Sequence, residues 1–192
     1  MMLQAILLAS LATVALGSIC CAPQQWEGFE AVSNLDASGI DRYLLSYSYD
    51  AINQRYAIND NYTSLVSARK EIWDYRQGIV FRINTEKRTC ETFTVTGTFP
   101  ASCIPSGAVD MGPFFYGLGT DTLSARAYQF NDTTGEFKNI VAVVTARGCF
   151  PITRTTVILR PGSGNNVLRV ACVNNILPGI RDSTNLRPPI LL

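Results

Sequence analysis

The sequence predicts an all-β fold, namely a sandwich, an open barrel or a related half-barrel, with at most one or two short helices. Three observations carry that expectation. About ten short runs of alternating or β-branched residues follow one another at regular spacing, punctuated by Gly, Pro and Asn-Asp clusters. Helical periodicity is scarce, and there is no 20–50-residue repeat. The third is the stretch 139–159, NIVAVVTARGCFPITRTTVIL, in which two β-rich runs (140–145 and 152–159) flank a corner of Gly148, Cys149, Phe150 and Pro151. Ile140, Ala142, Val144 and Ala146 share one face of the first run; Val141, Val143 and Thr145 share the other. Both faces are apolar, as suits a strand covered on two sides. Pro151 cannot donate to a ladder, so the chain is expected to bend there, with Cys149 placed to pin another segment.

Taken from the N-terminus, residues 5–16 form an apolar run of signal-peptide length ending in the small-residue site Ala15-Leu16-Gly17. Residues 1–17 are therefore read as a signal peptide and 18–192 as a single domain. That run is too short to span a membrane, and nothing later approaches ~18 uninterrupted apolar residues. Residues 20–29 read as a loop with Trp26 as a lid over core. Residues 42–49 alternate, with Tyr43, Leu45, Tyr47 and Tyr49 on one face. Asp50-Ala51-Ile52-Asn53 turns the chain into a second strand at 54–58. The segment EIWDYR (71–76) fits either a strand or one helical turn. Residues 79–83 and 92–95 flank a polar tip as a hairpin, with Phe81 and Ile83 on one strand and Phe93 and Val95 on the other. A long connection (99–113), two short strands (114–119 and 123–130), a final strand (167–173) and a loop-like tail from Asn174 complete the chain.

Composition narrows the chemistry. Six cysteines behind a signal peptide imply an oxidising compartment, and fifteen pairings are open to them. No C-x-x-C pair and no histidine are present, so thiol–zinc chemistry is disfavoured. The missing histidine also removes Ser-His-Asp and Cys-His arrangements, and the carboxylates are scattered through turns; the chain is read as no enzyme, with no organic cofactor. Net charge is +1 with 16% charged residues and no basic cluster, which argues against nucleic acid. Sequons at Asn61 and Asn131 mark expected glycosylation sites in exposed loops. Asn59-Asp60-Asn61, with Asp50 and Asn53 upstream, is the one carboxylate–amide knot. It is no EF-hand, because position 12 counted from Asn59 is Lys70, and no calcium site is assigned. Tyr43, Tyr47, Trp73, Tyr75, Phe81 and Phe93 read by periodicity as ordinary core.

Several motifs, in order, resemble the ependymin-related family. They are Cys21-Ala22-Pro23-Gln24-Gln25-Trp26-Glu27-Gly28; Tyr49-Asp50 with Asn53-Gln54-Arg55; Gly78-Ile79-Val80-Phe81-Arg82-Ile83 running to Cys90; Ile104-Pro105; Gly148-Cys149-Phe150-Pro151; and Gly179-Ile180-Arg181-Asp182. Cys103 and Cys172 fit the invertebrate pattern. The resemblance implies two stacked, curved antiparallel sheets forming a half-barrel around an apolar pocket, similar to bacterial lipoprotein carriers. It implies a secreted or lysosomal glycoprotein, often a homodimer, that binds a hydrophobic, lipid-like molecule. It also implies calcium binding, and the alternative function is calcium-dependent cell–matrix adhesion through the outer surface. On this resemblance Leu45, Tyr47, Trp73, Phe81, Ile83, Phe93, Val95, Val141 and Val143 are the expected pocket lining. The family implies Cys21 bonded to Cys149. Cys90 with Cys103 is sterically easy across a short segment, which leaves Cys20 with Cys172, and the adjacent Cys20 and Cys21 can exchange partners.

Overall fold

The computed structural model describes residues 18–60, 69–132, 137–159 and 166–187. The expected signal peptide and the sequon asparagine Asn61 lie outside the described residues. Thirteen strands run in order: β1 (Ser18–Cys21), β2 (Gln25–Asp36), β3 (Gly39–Asp50), β4 (Arg55–Asp60), β5 (Arg69–Asp74), β6 (Ile79–Asn84), β7 (Thr89–Thr94), β8 (Cys103–Pro105), β9 (Val109–Leu118), β10 (Asp121–Asp132), β11 (Phe137–Thr145), β12 (Pro151–Leu159) and β13 (Val167–Pro178). A 3-10 turn, η1 (Ser183–Leu186), follows them and completes the elements of the described residues.

Short connections make consecutive strands neighbours, so β2–β7 and β9–β13 are two antiparallel meanders. They join where β13 pairs with β2, which gives one sheet of eleven strands in the order β7-β6-β5-β4-β3-β2-β13-β12-β11-β10-β9. The sheet is open, with β7 and β9 as its edges. β1 and β8 form a separate two-stranded ribbon. The fold is thus all-β, in two sheets and not closed, as the sequence predicts, with the strands divided eleven to two.

The ribbon covers one face of the large sheet: Ile104 and Cys20 pack on Tyr128, Ile140, Ala142 and Val144. We call this the ribbon face. On the opposite, tail face, Leu186 of η1 packs with Ala57, Ile72 and Phe81, and Ile180 joins the same cluster. Each such buried aliphatic side chain contributes about 1.5–3 kcal/mol relative to exposure. Lys70 Nζ donates to the Thr184 carbonyl at 3.0 Å. Glu27 accepts from the Arg181 N–H and from the Ser48 hydroxyl, each at 3.0 Å, which ties the C-terminal segment to β2 and β3.

Several local expectations are corrected. Residues 20–29 are not a loop: the ladder of β2 begins at Gln25 and continues through Gly28, so Trp26 is a strand residue. Glu71 to Asp74 of EIWDYR resolve as strand, because β5 sits between β4 and β6 and pairs with both, while Tyr75 and Arg76 enter the turn that follows. The 99–113 connection contains β8 and the start of β9. Pro113 is tolerated in β9 because that strand is an edge, and a register shift beside Gly112 accommodates it. The last strand does not stop at Val173; it bulges past Asn174 and pairs on to Pro178, opposite Trp26. Pro151 opens β12, where no earlier strand amide is lost.

The cystine pairing is also corrected. Cys20 bonds Cys149, and Cys21 bonds Cys103. Successive strand residues point to opposite faces. In β1, Cys21 therefore faces its register partner Cys103, while Cys20 turns the other way, into the cluster holding Cys149. Cys90 and Cys172 are free thiols. They sit on β7 and β13 with five strands between them, about 29 Å at ~4.8 Å per step, against the ~7 Å limit between Cα atoms for a disulfide.

Candidate functional site: an aromatic row on the ribbon face

Hairpin register aligns Trp26, Tyr49, Tyr56, Trp73, Val80 and Phe93 in one row across β2 to β7. Directly opposed residues of an antiparallel pair share a face, so the row lies on one side of the sheet. The rings meet across the strands. Trp26 stacks on Tyr47 at 5.2 Å and on Tyr49 at 5.8 Å between centroids. Tyr56 stacks on Tyr47 at 5.7 Å and on Trp73 at 5.4 Å. Tyr75, just beyond β5, closes the end of the row and meets Phe99 edge-on at 5.5 Å. Pairs of this kind are worth roughly 0.5–1.5 kcal/mol beyond their buried area.

Phe99 is held there by Tyr49. The Tyr49 hydroxyl accepts from the Ser102 N–H at 3.0 Å and donates to the Pro100 carbonyl at 3.3 Å. The Ala22 N–H in turn donates to the Ser102 carbonyl at 2.8 Å, which docks the ribbon beside the row.

The adjacent row is Gly28, Tyr47, Ile58, Glu71, Arg82 and Glu91, and much of it is polar. Buried Glu71 accepts from Trp73 Nε1 at 3.3 Å and from Arg82 Nε at 2.9 Å. The Arg82 guanidinium then lies 4.7 Å from the centre of the Phe93 ring, a cation–π contact. One carboxylate thereby orients two members of the aromatic row. At Gly28 a Cβ would stand 3.1 Å from the Asn174 carbonyl oxygen, so the close approach of β13 favours glycine.

The turn at the end of the row fixes its register. Asp50 accepts from Gln25 Nε2 at 3.0 Å and from Asn53 Nδ2 at 2.7 Å, and the Ala51 N–H donates to the Gln24 carbonyl. Burial alone would raise the Asp50 carboxyl, but hydrogen bonds from Asn53, Gln25 and the turn amides outweigh it and lower it below its ordinary value. Asp74, almost wholly buried, is bonded by Arg55 at 2.6 Å and caps the next turn by accepting from the Gln77 N–H. The motif residues Gln25, Asp50, Asn53 and Arg55 thus meet at one end of the sheet.

Burial pushes the Tyr47 phenol far above its ordinary value, with Glu30 adding to the push and Arg154 opposing it. Burial also raises Tyr56, helped by Tyr47, Tyr75 and a hydrogen bond to Tyr75. These phenols stay neutral at physiological pH. The indole Nε1–H of buried Trp26 has no hydrogen-bond partner among the described residues. A buried unpaired donor costs about 1–3 kcal/mol, so it is a natural point of attachment for an acceptor.

The expected pocket lining is divided by the sheet. Leu45, Tyr47, Trp73 and Phe93 lie on the ribbon face; Phe81, Ile83, Val141 and Val143 lie on the tail face, and Val95 follows β7. Phe81 and Ile83 pack with Leu186, whereas Val143 packs with Ala125 and Ala127. One cavity of about 180 Å³ opens at the β2–β3 hairpin tip between polar Asn34, Asp36, Ser38 and Asp41, away from all of these residues. Asn131 is exposed near the end of β10, where it accepts from Asn139 Nδ2 at 2.9 Å; it is a strand residue rather than a loop residue. Among the described residues no three acidic or cysteine side chains gather at metal-binding distance, and no helix is long and apolar enough to cross a membrane. Trp26, Tyr49, Tyr56 and Phe99 were not among the expected site residues. The alternation that marks Tyr47 also marks Tyr49, whereas Tyr56 needed the register and Phe99 the long-range contacts of Tyr49 and Tyr75.

The ependymin family profile matches residues 64–190. Ependymin-related protein 1 of Haliotis asinina is 38% identical over 191 residues, covering 96% of this chain and 95% of its own. The chain belongs to the ependymin family. Ependymin-related protein 2 of the same organism is 34% identical, covering 98% of each chain. Mammalian ependymin-related protein 1 of Mus musculus is 23% identical over 88% of this chain and 74% of its own. Among solved structures, an uncharacterized conserved protein from Thermus thermophilus superposes with a TM-score of 0.54 at 9% identity, covering 88% of this chain and 87% of its own. That likeness concerns the fold. A LolA superfamily protein from Nitrosomonas europaea superposes at 0.45, too loosely to carry an argument. The family-like motif at 49–55 turns β3 into β4, and that at 78–83 leads into β6, so both shape the strands of the aromatic row.

Proposed function

We propose that this member of the ependymin family is a secreted, disulfide-bonded glycoprotein that holds a hydrophobic, lipid-like molecule against the aromatic row and catalyses no reaction. The observation that carries the reading is the row itself. Buried Trp26 and Tyr49 continue into the half-buried rings of Tyr47, Tyr56, Trp73 and Tyr75, an apolar strip with one spare indole donor. Apolar binding sites work in this way, by covering ligand surface while a few polar groups fix orientation. Secretion is supported by the apolar leader, the sequons and the two cystines. Calcium-tuned adhesion ranks below this reading, because the buried carboxylates of Asp50, Glu71 and Asp74 are already engaged by nitrogen donors.

Organic extraction of protein purified without detergent, followed by mass spectrometry, tests the proposal. An amphiphile near one per chain is expected. Extracts that match those of an unrelated secreted protein from the same cells would sink it.

A further inference from the structure

We propose that the β9–β10 hairpin is a membrane-docking edge that inserts into the interface of a zwitterionic phospholipid surface. Seven of the fifteen exposed large apolar side chains among the described residues lie on this one hairpin. Phe114, Phe115, Tyr116, Leu118 and Leu123 crowd its tip, with Val109 and Met111 behind; Phe115 is 69% exposed and Leu118 90%. Isolated exposed apolar residues are ordinary, but a contiguous group marks an interaction surface. The opposite edge makes the contrast: β7 carries Thr89, Glu91, Thr92 and Thr94 around one exposed ring, Phe93, a mostly polar edge that discourages association.

Three features favour a lipid surface over a protein. First, the edge is poorly suited to strand addition, because Pro113 lacks an N–H and the register shift beside Gly112 breaks the ladder. Second, the apolar side chains leave from both faces: Phe115 projects opposite to Phe114 and Tyr116. A second copy covers one face; an interface surrounds both. Third, charge is nearly absent. From 109 to 123 the sequence holds no Lys or Arg and only Asp110 and Asp121, and Asp110 is paired with Arg126 at 2.8 Å. Asp121, at the tip, is repelled by anionic headgroups. Tyr116 suits the boundary itself, with an apolar ring and a polar end.

Flotation of the full chain with phosphatidylcholine vesicles tests the proposal. Wild type is expected to float equally in 0.05 and 0.5 M NaCl, at roughly these ionic strengths, since no ion pair is involved. It is expected to float less well when a part of the lipid is phosphatidylserine. A double Phe115→Ser, Leu118→Ser variant is expected to partition about ten- to a hundredfold more weakly with an unchanged melting temperature. Ile40→Ser, exposed at the β2–β3 tip, is expected to behave as wild type. Wild type that stays in the pellet overturns the proposal, as does a double variant that floats undiminished. Wild type that fails to float but forms dimers lost in the double variant assigns the edge to a second copy instead. Ligand content by mass spectrometry is read on the same samples, so failure of docking and failure of the ligand reading are distinguishable.

Discussion

Trp26 and Trp73 lie on one register row three strands apart, linked ring to ring through Tyr47 and Tyr56, yet their indole N–H groups differ in state. Trp73 donates to Glu71 at 3.3 Å, whereas Trp26 has no partner among the described residues. One indole is fixed by the protein and the other is left for an acceptor. Trp26→Phe removes the spare donor and keeps a ring. It is expected to cost about 1–2 kcal/mol or less in urea melts, because the lost stacking area is partly offset by relief of the unpaired N–H. Affinity for a carboxylate-headed amphiphile is expected to fall about tenfold or more. Unchanged affinity would remove Trp26 from the site.

Tyr49→Phe deletes a hydroxyl that holds Ser102 and Pro100. The expected cost is about 1–2 kcal/mol, since a backbone N–H loses its acceptor. Hydrogen exchange reads it locally: the Ser102 amide should exchange faster, while amides within β11 and β12 keep their protection. Uniformly faster exchange would point to global loss of stability instead.

The folded pKa of Asp50 lies below its unfolded value, which is near ~3.9. Its contribution is therefore complete above the unfolded value and is lost as pH falls through the folded one. The melting-temperature gap between wild type and Asp50→Asn should be widest near neutrality and close as pH falls through the folded value. A gap that widens in acid would contradict the turn network.

At alkaline pH the sign reverses. The phenols of Tyr47, Tyr49 and Tyr56 are raised, chiefly by burial, so their contribution is present below about pH 10 and is lost as pH rises through the folded values. Of the eight tyrosines, these three should ionise only with unfolding, as a late step in ultraviolet absorbance. A single smooth titration of all eight near their ordinary value would refute the buried row.

Proteolysis without reduction should yield a three-peptide species, with the Cys20-Cys21 peptide joined to both the Cys103 and Cys149 peptides. Cys90 and Cys172 should alkylate in unfolded, unreduced protein. Each bridge closes a long loop and is worth about 4–5 kcal/mol in the chain-entropy account. A cross-linked Cys90 peptide would contradict the arrangement.

Alternation along the sequence was enough to place Tyr43, Leu45, Tyr47 and Tyr49 on one face, and turn residues marked most hairpins. What alternation cannot supply is parity between strands. Whether Phe81 or Val80 shares a face with Trp73 depends on the tight turn between β5 and β6, and the expected pocket mixed both faces for that reason. The pairing of Trp26 with Pro178 spans most of the chain, beyond the reach of local pattern, so β2 read as loop and the end of β13 as tail. Adjacent Cys20 and Cys21 point to opposite sides of a strand, which becomes visible only once β1 is known to pair with β8.

The ligand reading is tested most directly by titrating cis-parinaric acid, a fluorescent polyene fatty acid, and following energy transfer from tryptophan. The chain has two tryptophans and both stand in the row, so the signal reports from the site itself. Saturable transfer near one probe per chain, displaced by the amphiphile extracted from native protein, is the expected result. Transfer that rises linearly without saturation, and resists displacement, would contradict a ligand site on the aromatic row.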